Sequence, residues 1–147
     1  MPMFRFFVLL FVLLPWSVSA ADSSSLTIKT VDGRSLPFHV ELVQTPEEMA
    51  RGLMNRPSLP ADAGMLFNFG QDRPVTMWMK NTLIPLDMLF VGADGVIAGI
   101  AERTVPMSLE VIPSPGPVRA VLEVNGGTSD RLKIKVGDRV THSIFEP

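Results

Sequence analysis

The sequence has no cysteine, only two histidines and no large excess of either charge. The absence of cysteine excludes disulfide bonds, thiolate metal sites and a cysteine nucleophile. The 13 basic and 15 acidic residues give a formal net charge of −2, which argues against a protein that binds nucleic acid or another polyanion. With 46% hydrophobic residues and no low-complexity tract, the 147-residue chain is not of the disordered class. A chain of this length has room for one domain with a hydrophobic core.

The sequence also lacks an apolar run long enough to span a bilayer. The candidate run, Phe6–Trp16, has 11 residues, whereas a membrane-spanning helix needs about 20. The positively charged Arg5 precedes this run, and the small residues Val18–Ala20 follow it. A secretory signal peptide has the same order: a basic start, an apolar run and a cleavage site of small residues. We therefore expect residues 1–20 to be cleaved off. The remaining residues 21–147 would form a single β-rich domain in the periplasm or outside the cell, with no membrane span.

Short segments of alternating apolar and polar residues, bounded by turn residues, fill most of the remaining chain and predict strands. Asp32-Gly33 predicts a hairpin between the first two strands. The segment Leu86–Val91 is apolar on both faces except for Asp87, which predicts a central strand covered on both sides. The predicted strands are Leu26–Val31, Leu36–Val43, Gly64–Phe69, Pro74–Lys80, Leu86–Val91, Val96–Ala101, Val118–Val124 and Arg139–Phe145.

Helical signals are few. Thr45-Pro46-Glu47-Glu48 has the form of a capping box with proline at the first helical position, and it predicts a helix over about residues 46–55. Thr128–Lys133 predicts a short helical turn, and the proline-rich segment Thr104–Pro117 predicts a loop laid over the open end of the fold. The pattern as a whole predicts a mainly β fold: a β-sandwich or partly open barrel with one short α-helix packed on it.

Several motifs spread from Glu41 to Val140 occur in the same order in one known family. They are Thr45-Pro46-Glu47-Glu48, Gly52-Leu53-Met54 with Arg56, Gly64-Met65-Leu66-Phe67, Trp78-Met79-Lys80-Asn81-Thr82, Ile84-Pro85-Leu86-Asp87 with Phe90, Val121-Leu122-Glu123 and Gly137-Asp138. By these motifs the chain resembles the bacterial and archaeal domain of unknown function 192 family. The resemblance implies a compact β-rich fold, often behind a signal peptide. It implies no agreed activity, so no catalytic residues are carried over from it.

A polar cluster beside an apolar strand is the candidate binding site. Asp87 lies in that strand, where a charge is costly unless it is paired. Lys80 would offer a cation, Asn81 a hydrogen bond in either direction and Trp78 a stacking face on the same side of a strand as Lys80. The candidate ligand-binding residues are Trp78, Lys80, Asn81, Asp87, Arg56 and Glu123. On this hypothesis the protein is an exported, non-catalytic binding protein for a small anionic or polyhydroxyl, carbohydrate-like ligand, and it needs no cofactor.

Three alternatives stay open at this point. In a purely structural envelope protein, Asp87 would accept hydrogen bonds from backbone N–H groups, and Lys80 or Arg56 would neutralise it. In a hydrolase, Asp87 and Glu123 would form a general acid/base pair with their carboxyl groups roughly 5–10 Å apart in one cleft. The methionines could supply soft ligands for copper(I), but no histidine lies in a ligand spacing with them, so we expect no metal site. The sequence does not determine the oligomeric state.

Overall fold

The computed structural model describes residues 23–147, so the expected signal peptide lies outside the described residues. The strands are β1 (Ser23–Lys29), β2 (Ser35–Val43), β3 (Ala63–Arg73), β4 (Thr76–Met77), β5 (Leu86–Val91), β6 (Ile97–Ala101), β7 (Ile112–Pro113), β8 (Val118–Asn125) and β9 (Arg139–Thr141). The helices are α1 (Pro46–Arg51), α2 (Thr128–Leu132) and a 3₁₀ turn at Ser143–Phe145. Within residues 23–147, no helix combines the length and apolar character needed to cross a membrane.

Seven strands form one sheet in the order β6-β5-β8-β3-β2-β1-β9, and β4 and β7 form a small second sheet. Neighbouring strands of the large sheet are antiparallel except for β2 and β3, which are joined through α1 and run parallel. A bridge between Val96 and Arg139 connects the two ends of the sheet, so the sheet curls into a half-barrel. The predicted mainly β fold is confirmed, and it takes the partly open barrel form.

The sheet buries apolar side chains on both of its faces. One core contains Leu66, Leu89 and Leu122, which lie at paired positions on β3, β5 and β8. The residues at the alternate positions, such as Met65 and Met88, belong to a second core on the other face. All six residues of β5 are buried, which confirms the prediction of a central strand. The second core is the one that α1 and the turn after it cover.

The capping box predicted for α1 is present. The Thr45 hydroxyl accepts a hydrogen bond from Glu48 N at 3.2 Å, and the Glu48 carboxylate accepts one from Thr45 N at 3.2 Å. The helix is shorter than the expected residues 46–55. Gly52 has a φ of 47° and donates its N–H to Glu48 O, and Asn55 has a φ of 62°. Both residues adopt a positive φ, which ends the helix at Arg51.

Two predicted strands are much shorter than expected. Pro74–Lys80 is strand only at Thr76–Met77, because the chain turns at Asn81 (φ 51°) and Thr82 N donates to Met79 O. The partner of this short strand is β7, which lies within the segment predicted as a proline-rich loop. The last strand ends at Thr141 rather than Phe145, because the His142 ring accepts a hydrogen bond from Ile144 N and begins the 3₁₀ turn.

Replacing Thr45 by Ala is expected to lower the free energy of unfolding by about 1 kcal/mol, because the hydroxyl that caps Glu48 N is lost. Urea unfolding followed by circular dichroism measures the change. The matched control is Thr45→Ser, which keeps the hydroxyl and should lose much less. Equal losses in the two variants would mean that the cap does not stabilise α1.

Candidate functional site

Asp87 is fully buried and is held by backbone donors from three segments. One carboxylate oxygen accepts hydrogen bonds from Arg103 N at 2.8 Å and Gly127 N at 2.9 Å, and the other accepts one from Ser129 N at 2.8 Å. Among the described residues, no side-chain nitrogen of a lysine or arginine lies within 4 Å of it. The carboxylate therefore ties β5 to the end of β6 and to the start of α2. This is the arrangement of the structural alternative, but without a neutralising Lys80 or Arg56.

Asp87 and Glu123 lie on opposite faces of the sheet. In the pairing of β5 with β8, Asp87 is opposite Val124 and Met88 is opposite Glu123. Directly paired residues share a face and successive residues alternate, so the two carboxyl groups point away from each other. The expected acid/base pair in one cleft is not formed. For the same reason Asp87 does not join Glu123 in a shared pocket.

Glu123 is the buried carboxyl group of the second core. Its exposed fraction is 4%, its cross-strand neighbours are Met65 and Met88, and no described residue donates a hydrogen bond to its carboxyl group. Burial in these surroundings raises the pKa of Glu123 to about 8, because loss of hydration disfavours the charged form. The group is therefore mostly protonated and neutral at pH 7.

Glu123 lines a small pocket between α1 with its following turn and the segment that carries Trp78. The cavity has a volume of about 30 Å³, close to the space of one water molecule. Its apolar lining comes from Leu53, Met54, Phe67 and Met77. Trp78 lies at the rim with 47% of its surface exposed, and the Lys80 ammonium sits 5.0 Å from the centre of its ring.

The charged side chains that line the pocket are cationic at neutral pH. Two of its lining residues, Arg51 and Lys80, are exposed and have no carboxylate within 4 Å among the described residues. The acidic lining residue, Glu123, is neutral there because its pKa is raised. A site with two exposed cations and a protonated carboxyl group offers hydrogen-bond donors to an anion.

The structure brings together only part of the predicted site. Trp78, Lys80 and Glu123 line the same pocket. Asn81 does not line it, but its side-chain amide is 4.0 Å from the sulfur of Met54, which does, and its carbonyl accepts a hydrogen bond from Asn55 N. Arg56 and Asp87 do not line it.

Arg56 is occupied elsewhere. Its guanidinium forms a two-fold ion pair with Glu41, with one of the two contacts at 2.7 Å. The hydrogen bonds of this pair lower the pKa of Glu41 and raise the pKa of Arg56. The pair joins the turn after α1 to β2, which makes Arg56 a residue that supports the wall of the pocket rather than one that lines it.

Sequence reasoning missed Arg51 as a residue of the site. Arg51 is the last residue of α1 and directly precedes the Gly52-Leu53-Met54 motif, so it belongs to the wall that faces Trp78. The apolar spacing of α1 indicated which residues pack inward but not what lies across from its C-terminal end. Its position in the sequence could have indicated Arg51, because it adjoins the Gly52-Leu53-Met54 motif and the turn formed by that motif lines the same pocket.

The comparisons with known proteins agree in fold and leave the activity open. Residues 27–142 match the model of the DUF192 family, described as "Uncharacterized ACR". A crystal structure from Sinorhizobium meliloti 1021, of a protein described as a candidate transcription regulator, is 45% identical with a TM-score of 0.83, over 85% of this chain and 97% of that one. A protein of unknown function from Novosphingobium aromaticivorans DSM 12444 is 41% identical with a TM-score of 0.81, over 86% and 89%. No curated protein matches the chain at a significant level.

Proposed function

The chain belongs to the DUF192 family of uncharacterised proteins, and from that premise we propose that it is a non-catalytic binding protein for a small anionic, sugar-like ligand. The proposed site is the pocket between α1 and the segment around Trp78. One observation carries the proposal: two exposed cations, Arg51 and Lys80, with no carboxylate of the described residues within 4 Å, line the pocket together with a buried carboxyl group that is neutral at pH 7.

The charge of the pocket favours an anion. Arg51 and Lys80 contribute two positive charges, and Glu123 contributes none while it is protonated. A carboxylate or phosphate group at the rim would form charge-assisted hydrogen bonds with both cations. The protonated Glu123 carboxyl group would add a donor that an ionised carboxylate lacks.

The shape of the pocket favours a ligand that rests on the rim and inserts one small group. A cavity of about 30 Å³ admits a hydroxyl or a single anionic group but not a whole sugar ring. The half-exposed indole of Trp78 offers the sugar ring of the ligand a flat apolar surface. A polyhydroxyl ring with one charged substituent combines these features.

The expected signal peptide belongs to this proposal, because it would place the binding in the periplasm or outside the cell. Mass spectrometry of the protein recovered from a periplasmic fraction tests it. A chain that begins after Ala20 would support export. An intact N-terminus in a cytoplasmic fraction would contradict it.

Binding is expected to be specific for charged sugars. Glucuronate and glucose 6-phosphate should raise the melting temperature of the protein, while glucose at the same concentration should raise it much less. Replacing Lys80 by Gln or Arg51 by Gln is expected to weaken binding of glucuronate by about tenfold each, since each removes a charged hydrogen-bond donor. Isothermal titration calorimetry measures the dissociation constants.

Lys29→Gln is the matched control, because Lys29 is exposed on β1 and does not line the pocket. It should bind as the wild type does. Equal binding of glucose and glucuronate, or unchanged affinity in both pocket variants, would contradict the proposal. Failure of all these probes to bind would favour the structural alternative, in which the pocket serves only folding.

The affinity for the anion is expected to fall as the pH rises through about 8. Above that pH Glu123 is ionised, so it repels an anion and no longer donates a hydrogen bond. Glu123→Gln should bind the anion with little change between about pH 6 and pH 9, because the amide keeps a donor and does not titrate. A wild-type affinity that stays constant across this range would show that Glu123 does not face the ligand.

A further inference from the structure

A second cavity lies at the other end of the sheet, between the β1–β2 turn and the segment that leads into β9. Its volume is about 420 Å³, which is within the range of small-molecule pockets and far above that of the pocket beside Trp78. Val31 and Arg34 line one wall, and Lys135 and Val136 line the other.

The two walls are fixed to each other by buried hydrogen bonds. Asp138, with 3% of its surface exposed, accepts a hydrogen bond from Val31 N at 2.9 Å with one oxygen and from Lys135 N at 2.8 Å with the other. The Arg34 guanidinium donates to the carbonyl oxygens of Leu132 and Lys133. The fold itself therefore holds the walls in place, and binding would not require them to be ordered.

The acidic groups of the cleft already accept hydrogen bonds from the protein. Asp138 is satisfied by the two backbone donors, and Asp32 is hydrogen-bonded by Thr30 and Arg34, which lowers the pKa of Asp32. Among the described residues, no carboxylate lies within 4 Å of the Lys135 ammonium. Since Asp138 is buried, the exposed cation of the lining that has no ion-pair partner among the described residues is Lys135.

The walls also expose apolar surface that nothing in the described chain covers. Val31 is 82% exposed and Val136 is 60% exposed, and both line the cleft. Water in contact with both valines would be released by an apolar group placed between them. A lysine beside two exposed valines is suited to an anion that carries a hydrophobic body.

From this cleft we infer a second binding site, for a small organic anion with an apolar chain or ring, such as a short-chain carboxylate. The anionic group would contact Lys135, and the apolar part would lie between Val31 and Val136. This site is separate from the one proposed beside Trp78 and does not depend on it.

Hexanoate tests the inference against two matched probes. Acetate carries the charge without the chain, and hexan-1-ol carries the chain without the charge. Hexanoate is expected to bind about tenfold more tightly than either, because only it uses both the ammonium and the valines. In two-dimensional NMR spectra, the amide signals of residues 31–34 and 133–138 should shift together along the titration.

Two substitutions test the roles proposed for Lys135 and Val136. Lys135→Gln and Val136→Ser each alter an exposed side chain, so both variants should fold, and each is expected to weaken hexanoate binding by about tenfold. Lys29→Gln is again the control and should not change it. Hexanoate binding no tighter than that of hexan-1-ol, or signal shifts confined to the region of Trp78, would overturn the inference.

Discussion

Replacing Glu123 by Gln is expected to raise the free energy of unfolding at pH 7 by about 3 kcal/mol. The pKa of Glu123 is raised to about 8 in the folded protein from an ordinary value of 4.5. Between these two values the unfolded chain releases a proton that the folded protein keeps. The wild type therefore loses stability as the pH rises from about 4.5 to about 8, whereas the amide of the variant has no proton to lose.

Urea unfolding at several pH values measures the effect. The stability difference between the variant and the wild type should be near zero at about pH 4, grow through pH 7 and level off above about pH 8. Glu110→Gln is the control, because it makes the same chemical change at an exposed position. A wild-type protein whose stability does not fall across this range would contradict the burial of Glu123.

This expected gain connects stability with function. A buried carboxyl group without a hydrogen-bond donor destabilises the fold, and an amide or an apolar side chain of similar size would do so less. Such a group is typical of binding and active sites, where a destabilising residue is retained for what it does to a ligand. Glu123→Gln therefore tests two things. The stability of the variant tests the burial of Glu123, and the pH dependence of its ligand binding tests the proposed site.

Replacing Asp87 by Asn is expected to destabilise the protein by about 3–5 kcal/mol, a large part of the stability of a typical domain. The carboxylate accepts three backbone hydrogen bonds with no exposed surface. An amide can accept with only one of its two polar ends. Its NH₂ group would face a backbone N–H, so buried donors from Arg103, Gly127 or Ser129 would be left without an acceptor.

The matched control is Asp94→Asn, because the Asp94 carboxylate also accepts a backbone hydrogen bond, from Val96 N at 3.0 Å, but at an exposed position. The loss expected there is under about 1 kcal/mol, since water can replace the bond. Circular dichroism and urea unfolding compare the two variants. Equal and small losses would mean that Asp87 is not the tie between β5 and α2.

The sequence predicted the local features well where neighbouring residues decide the structure. The capping box at Thr45 and the hairpin turn at Asp32-Gly33 both depend on hydrogen bonds and backbone angles within a few residues. The buried strand Leu86–Val91 was predictable because its apolar pattern admits no exposed face. In each case the physical cause lies within the segment itself.

The strand predicted at Pro74–Lys80 failed because alternation alone does not supply a partner strand. Only Thr76 and Met77 pair, with β7, a segment whose prolines favoured a loop. Asn81 then adopts left-handed backbone, and Met79 N donates to Ser108 O instead of to a neighbouring strand. The extent of this strand was therefore decided by its contact with β7, a segment distant in sequence.

The candidate site, too, was only partly predictable from the sequence. The residue types that recognise a small polar ligand, Trp78, Lys80 and Glu123, were apparent from the sequence, but Asp87 was grouped with them by proximity along the chain. Strand register separates it from Glu123, because a shift of one position moves a side chain to the other face. Arg51 enters the pocket only because α1 packs across from Trp78.

The sequence by itself determined the β-rich class, the family resemblance, the capped helix and the presence of acids in apolar strands. These follow from side-chain chemistry and short-range periodicity. Only the tertiary structure decided which acid is satisfied and which receives no hydrogen bond from the described residues. Backbone N–H groups from three separate segments converge on Asp87, while Glu123 meets methionines from the adjacent strands, so folding gives two buried carboxyl groups opposite roles.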